Sequence, residues 1–118
     1  MNNFNEVKIS VANDFSKYPG ARYKTDGAFS GEEFYEIILK PSLSKIWEDS
    51  NAVINLNLDS TFGYASSFIS EIFTSVVRDF KNKELIKKKI VFTSNDEPLL
   101  IRTIQQIIDE ADAGESQA

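Results

Sequence analysis

The 118-residue chain contains neither cysteine nor histidine. Without cysteine there is no disulfide and no thiolate chemistry. Without histidine the commonest general base and the commonest metal ligand are missing. Ser-His-Asp and Cys-His mechanisms and an ordinary zinc site are therefore excluded. Positive charge is also scarce: 13 basic residues face 18 acidic ones, a net charge of -5. Such a balance argues against a surface built for nucleic acid. No uninterrupted apolar run approaches the roughly 20 residues that cross a bilayer. Residues 1–10 show no basic region followed by an apolar core, so no secretory leader is expected. The expected location is the cytoplasm.

What is present is enough apolar residues, 42% of the chain, for the core of one small domain. Residues 6–12 alternate Val7, Ile9 and Val11 with polar residues, the pattern of a half-buried strand. Residues 13–31 form a long connection rich in glycine and aromatics, with a turn signal at 25–27 and the outline of a loose hairpin. Ser30 and Glu33 make an S-x-x-E capping box for a helix that Pro41 should break near Leu39. Residues 53–58 read as a central strand, residues 59–65 as a turn, and Ser66 or Ser67 as the start of a second helix. Phe68, Ile69, Ile72, Phe73, Val76 and Val77 supply that helix with a buried stripe. Residues 87–93 read as a short strand. A last helix should be capped by Asn95 or Asp96 and lined by Leu99, Leu100, Ile101, Ile104, Ile107 and Ile108. Alternation of strands and helices implies an α/β fold with a mostly parallel or mixed sheet of about four strands and three to four helices. Binding in such a fold is expected at the carboxyl ends of the strands.

Several residues are candidates for function, each with a structural alternative. Ser66 and Ser67 can cap a helix, or one can carry a phosphate near the positive end of the helix dipole. Asp59 can cap its own turn, or it can be an acidic group that helps a kinase or binds Mg²⁺. Arg22, Asp26, Ser30 and Glu32 can form a polar surface for a carboxylate or phosphate. They can equally pin the loop through an internal Arg–Asp pair with Ser30 as a cap. Lysines 81, 83 and 87–89 read as a solvated loop and the polar start of a strand. Asp109, Glu110 and Asp112 read as an exposed acidic tail rather than a metal site. Trp47 and the Phe68/Phe73 stripe read as core. Gly63 lies in no phosphate-cradling glycine motif.

Three blocks together carry a family resemblance: GARYKTDGAFSGEEFYEIILKPSL at 20–43, VINLNLDSTFGYASSFISEIFTSVVR at 53–78, and KKIVFTSNDEPLLIRTIQQII at 88–108. They resemble bacterial STAS-like domains of unknown function. STAS domains proper include anti-sigma factor antagonists, which switch partners when a histidine-kinase-like ATPase phosphorylates a serine in a D-S-S-G turn. Ala65-Ser66-Ser67-Phe68 falls opposite that turn, with alanine in place of the aspartate and phenylalanine in place of the glycine. The resemblance implies a small STAS-like domain at 1–110 followed by an acidic, unstructured tail at 111–118. It implies a non-catalytic, protein-binding regulator with no cofactor and no metal. Ser66 and Ser67 would be the phosphoacceptors, and Asp59, Thr61, Phe62, Tyr64 and Phe68 would form the partner surface. The partner would be a histidine-kinase-like ATPase or another anti-sigma-type regulator. The alternative from the residues themselves is a small-ligand or anion-binding module built from the 19–31 loop and the helix starts.

Overall fold

The computed structural model describes residues 5–112. Strand β1 (Asn5–Ser10) runs into a helical turn, α1 (Val11–Asp14), and then the long loop. A continuous helical rod follows, made of α2 (Gly31–Phe34), a π-helical stretch (Tyr35–Leu39) and α3 (Lys40–Ile46). Next come β2 (Ala52–Asn57), α4 (Ser66–Phe80), α5 (Lys83–Lys89), β3 (Ile90–Thr93) and α6 (Leu99–Glu110). The strands form one parallel sheet in the order β1-β2-β3. About four strands were expected; the sheet has three among the described residues.

Sheet register explains the sequence pattern. Val7, Ile54 and Ile90 lie in one row, and Ile9, Leu56 and Phe92 in the next. These rows face the helices; Ile54, Leu56 and Ile90 are almost fully buried. The opposite face carries Lys8, Asn55 and Val91, then Ser10, Asn57 and Thr93. There the Asn55 amide donates to the Glu6 carboxylate at 3.1 Å and accepts from the Thr93 hydroxyl at 3.2 Å. The two asparagines that interrupt β2 in the sequence thus mark its uncovered face. Parallel sheets are usually covered on both faces.

Helix α4 packs between α2 and α6, and α5 closes the far end of the sheet. Its Phe68, Ile69, Ile72, Phe73, Val76 and Val77 are all buried, as their spacing predicts. Ser30 caps α2 as expected, accepting from the Glu33 N–H at 3.0 Å, and it is fully buried. The long loop is anchored by its aromatics: Phe15 packs edge-on to Phe29 and Phe34, with ring centroids 5.5 and 5.3 Å apart.

Five local expectations are corrected. Pro41 does not end the first helix. The π-helical turn before it shifts the bonding to residues five apart, so the chain passes the proline without the usual ring-to-carbonyl clash. The loose hairpin adds no strand to the sheet. It closes through Gly20 N–H to Phe29 C=O at 2.7 Å and Gly31 N–H to Ala21 C=O at 2.9 Å, around a 3-10 turn at Lys24–Asp26. Lys83–Lys89 is a helix, not the start of a strand; the Asn82 side chain caps it by accepting from Leu85 N–H at 3.1 Å. Lys89 is buried and donates to the carbonyls of Asp49 and Ala52, tying α5 to the entry of β2. Finally, α6 begins at Leu99 without a side-chain cap, and Leu99 points outward at 71% exposure. Its inner face is Leu100, Ile104 and Ile108. The acidic end also starts later than its charge suggests: Asp109 and Glu110 still belong to α6, and Asp109 is held by Lys83 and Lys87. Residues 113–118 of the expected tail lie outside the described residues.

The start of α2 meets α4 backbone on backbone. A Cβ added at Gly31 would sit 2.5 Å from the Phe68 carbonyl oxygen. Only glycine lets the start of α2 meet the first turn of α4 there. Gly31→Ala is expected to destabilise the fold by about 1–3 kcal/mol through overpacking, as measured by chemical denaturation. An unchanged midpoint would mean that the two helices part without cost.

Candidate functional site

All three strands deliver their carboxyl ends to one edge of the molecule, where the β2–α4 and β3–α6 turns meet. Asp59 fastens the two turns together. Its carboxylate accepts from the Asp96 N–H at 2.8 Å and from the Asn95 side-chain amide at 3.0 Å. Asp96 returns the contact, accepting from the Ser60 N–H at 2.9 Å. These donors, led by the Asp96 N–H, hold the Asp59 carboxyl below the ordinary aspartate range. Asn95 and Asp96, expected to cap α6, are used here instead. Ser60 takes a positive φ of 74° to make the bend. Thr61 accepts from the Gly63 N–H at 3.2 Å, and Tyr64 donates to the Leu58 carbonyl at 2.7 Å. Burial, with the carboxylates of Asp59, Glu97 and Asp96 nearby, pushes the Tyr64 hydroxyl up to about 12.

Beside this clasp lies a groove of about 460 Å³ between the starts of α4 and α6. Ser66, Ser67, Ile69 and Ser70 form one wall. Leu99, Leu100, Thr103 and Ile107 form the other, and Arg22, Tyr64 and Glu97 close the ends. The groove joins two candidates that are far apart in the sequence, Arg22 and the serine pair. Arg22 does not pair with Asp26. Its guanidinium lies 3.6 Å from the carboxylate of Glu71, one helical turn beyond Ser67 on α4. Asp26 accepts from the Tyr23 N–H at 3.0 Å, and Glu32 from the Lys24 N–H at 2.9 Å, so both brace the loop. With Ser30 buried as a cap, the expected four-residue polar surface does not form; Arg22 alone reaches the groove.

The serine pair does not cap α4. Ala65 occupies the cap position and offers no side-chain acceptor, while Ser66 and Ser67 are the first two helical residues. Ser66 is exposed and Ser67 half-buried. Phe68, expected on the partner surface, is fully buried, with its ring 6.3 Å from Phe34 and 5.7 Å from Tyr64. Phe68 therefore belongs to the core, as its place in the helical stripe predicts, and not to the exposed side chains of this edge. Phe62 is the opposite case at 75% exposure, stacked on the exposed Tyr18 with centroids 4.7 Å apart.

Reading the sequence missed Glu71, Tyr18, Glu97, Leu99 and Thr103 as members or neighbours of this site. Glu71 had a signal: Ser67 and Glu71 are four apart on one helix. Tyr18 had none, because its stacking depends on how two loops meet.

A second polar cluster sits away from the groove. The buried Tyr35 donates to Asp79 at 2.7 Å, Arg78 reaches the same carboxylate twice at 3.1 Å, and Lys40 lies 3.4 Å from it. Arg78 first, and then Tyr35, hold the Asp79 carboxyl down at about 2, and burial raises the Tyr35 hydroxyl. The cluster ties the π-helical turn to the end of α4. No group of three or more acidic side chains able to hold a metal occurs among the described residues. None of their helices is long and apolar enough to cross a membrane.

The fold and groove define a small α/β domain with helices on one face of a parallel sheet and a candidate site at the strand ends. A family model described as the STAS-like domain of unknown function (DUF4325) matches residues 30–100, from the Ser30 cap to the second residue of α6. The chain belongs to this family. No curated protein and no solved structure matches it.

The clasp has a testable acid dependence. Its carboxyl is depressed in the folded state. Its contribution is therefore present above the ordinary aspartate pKa of about 3.9 and is lost as the pH falls through the lower folded value. Asp59→Asn is expected to melt below wild type at pH 7, with the gap narrowing as the pH drops below about 4. Thermal melts across that range check it; a gap that stays constant would show that charge is irrelevant to the clasp.

Proposed function

We propose that this STAS-like domain is a non-catalytic regulator that acts by binding a protein at the α4–α6 groove and the neighbouring 59–65 turn. The observation that carries the reading is convergence. An exposed serine at an uncapped helix start, a guanidinium, and the exposed apolar side chains of Leu99 and Phe62 share one edge of the molecule. Ser66 is the preferred phosphoacceptor, because it is the more exposed of the pair. Phosphate there adds about -1.5 to -2 charge at the positive end of α4. It also fills the mouth of the groove within a space that Arg22 shares, and so expels the docked partner. The partner is a histidine-kinase-like ATPase of the kind that serves STAS domains, and the setting is the bacterial cytoplasm.

A second reading draws on the size of the groove. About 460 Å³ lies within the range of small-ligand pockets. Arg22 from the long loop and the starts of two helices line it, much as the ligand-binding alternative requires. Its anion capacity is limited, because Arg22 is already paired with Glu71 and Glu97 lines the same space.

The test begins with capture of partners from the native host with and without ATP, followed by affinity measurements on the purified pair. Ser66→Asp is expected to weaken the complex about tenfold or more, equivalent to about 1.4 kcal/mol, while Ser66→Ala binds as wild type. Equal binding by both variants sinks the switch. A thermal shift with nucleotides or phosphosugars, and no protein partner, would favour the small ligand.

A further inference from the structure

The α6 wall of the groove is mostly apolar, and the surroundings of the groove are acidic. Ile69, Leu100 and Ile107 line it, and Leu99 stands 71% exposed at its rim. Glu97 closes one end, and Asp59 and Asp96 lie in the adjoining clasp. None of these three carboxylates takes part in an ion pair among the described residues. Asp59 and Asp96 accept only from neutral amide donors. Among the described residues the one cation lining the groove, Arg22, is matched by Glu71. The field at this edge is therefore negative, in keeping with the net charge of -5.

The groove is also elongated. Leu99, Leu100, Thr103 and Ile107 follow helical spacing along α6, a stripe of about 12 Å at 1.5 Å per residue. A segment laid against it would meet apolar contacts over two to three turns before reaching the carboxylates. An anionic lipid surface or a nucleic acid would meet repulsion instead.

We propose that the groove seats an amphipathic segment of a partner protein that carries lysine or arginine beside its apolar anchors. The inference rests on the protein-docking reading above and names the chemistry of the partner. The apolar anchors cover Leu99 and the half-buried Ile107. The basic residues face Glu97 and the Asp59–Asp96 clasp, which speeds encounter and fixes the orientation of the segment. Ser66 opens the wall of the groove that faces Leu99 on α6, so a phosphate there obstructs the apolar contacts.

Two labelled helical peptides of about four turns test this, one of leucine and lysine and one of leucine and glutamate at identical leucine spacing. The full chain is titrated with each by fluorescence anisotropy. The lysine peptide is expected to bind about tenfold or more tightly than the glutamate peptide, and to weaken as salt rises. Glu97→Gln and Leu99→Ser should each weaken it about threefold or more. Glu48→Gln, an exposed site after α3, should leave it unchanged. Equal losses from Glu97→Gln and Glu48→Gln would reduce the effect to general charge attraction and overturn the proposal. Tighter binding of the glutamate peptide would overturn the charge assignment while leaving the groove as a dock. Binding of neither peptide overturns the proposal too, and the Ser66 variants, read on the native partner, judge the switch separately.

Discussion

Helices cover one face of the parallel sheet and leave the other to polar side chains. Much of the architecture follows from that restriction. With a single covered face, each strand needs apolar residues only at alternate positions, so β2 reads Ala52, Ile54, Leu56 on one side and Val53, Asn55, Asn57 on the other. One layer of helices must then supply the whole core. Helix α4 takes the middle of that layer and buries a broad stripe from Phe68 to Val77. Its neighbours must come close to seal it, and α2 does so to the point of backbone contact at Gly31. The aromatics of the long loop fill the remaining corner, where Phe15, Phe34 and Phe68 meet edge to edge and at tilted angles.

The same restriction shapes the candidate site. In a parallel arrangement every strand ends at the same edge, so each return turn starts there. Two of those turns are bound into one unit by Asp59 and Asp96. The clasp sets the spacing between the starts of α4 and α6, and the groove is the gap that remains. Arg22 arrives from a third direction, through a loop that braces itself with Asp26 and Glu32. The polar residues of this edge thus divide into those that hold the turns in place and those left facing solvent. Asp59, Asp26, Glu32 and Ser30 are of the first kind; Ser66, Ser67, Thr103 and Glu97 are of the second.

This division marks how far the sequence could be read. Strong periodicity identified α4 and β2, and the S-x-x-E box located the start of α2, because those signals are local and repeat. Most of the misreadings turn on long-range contacts, and two on local helix geometry. A lysine run looks solvated until α5 folds and Lys89 finds the Asp49 and Ala52 carbonyls. Pro41 looks like a break until a π-helical turn absorbs it. Asn95 looks like a cap until Asp59, 36 residues earlier, claims it. The resemblance puts Phe68 on a partner surface because it follows the serines, whereas helical spacing puts it in the core, and the core is where it lies. Arg22 reads as a partner of Asp26, its neighbour in the loop, but its ion pair is with Glu71 on a helix distant in sequence.

The uncapped start of α4 is the most informative of these departures. A serine, threonine or aspartate at position 65 would stabilise the helix by about 1 kcal/mol, and the chain has Ala65 there instead. Two hydroxyls follow immediately, one residue too late to close the first turn. The helix is held by its buried stripe, so the missing cap does not threaten the fold. The opening N–H groups and the Ser66 hydroxyl are instead left at the surface, beside a groove that a clasp and a braced loop keep in shape. A cap would have satisfied that end of the helix from within. Its absence leaves the positive end of the dipole available to a negative group arriving later, which is the electrostatic condition that a phosphate on Ser66 requires.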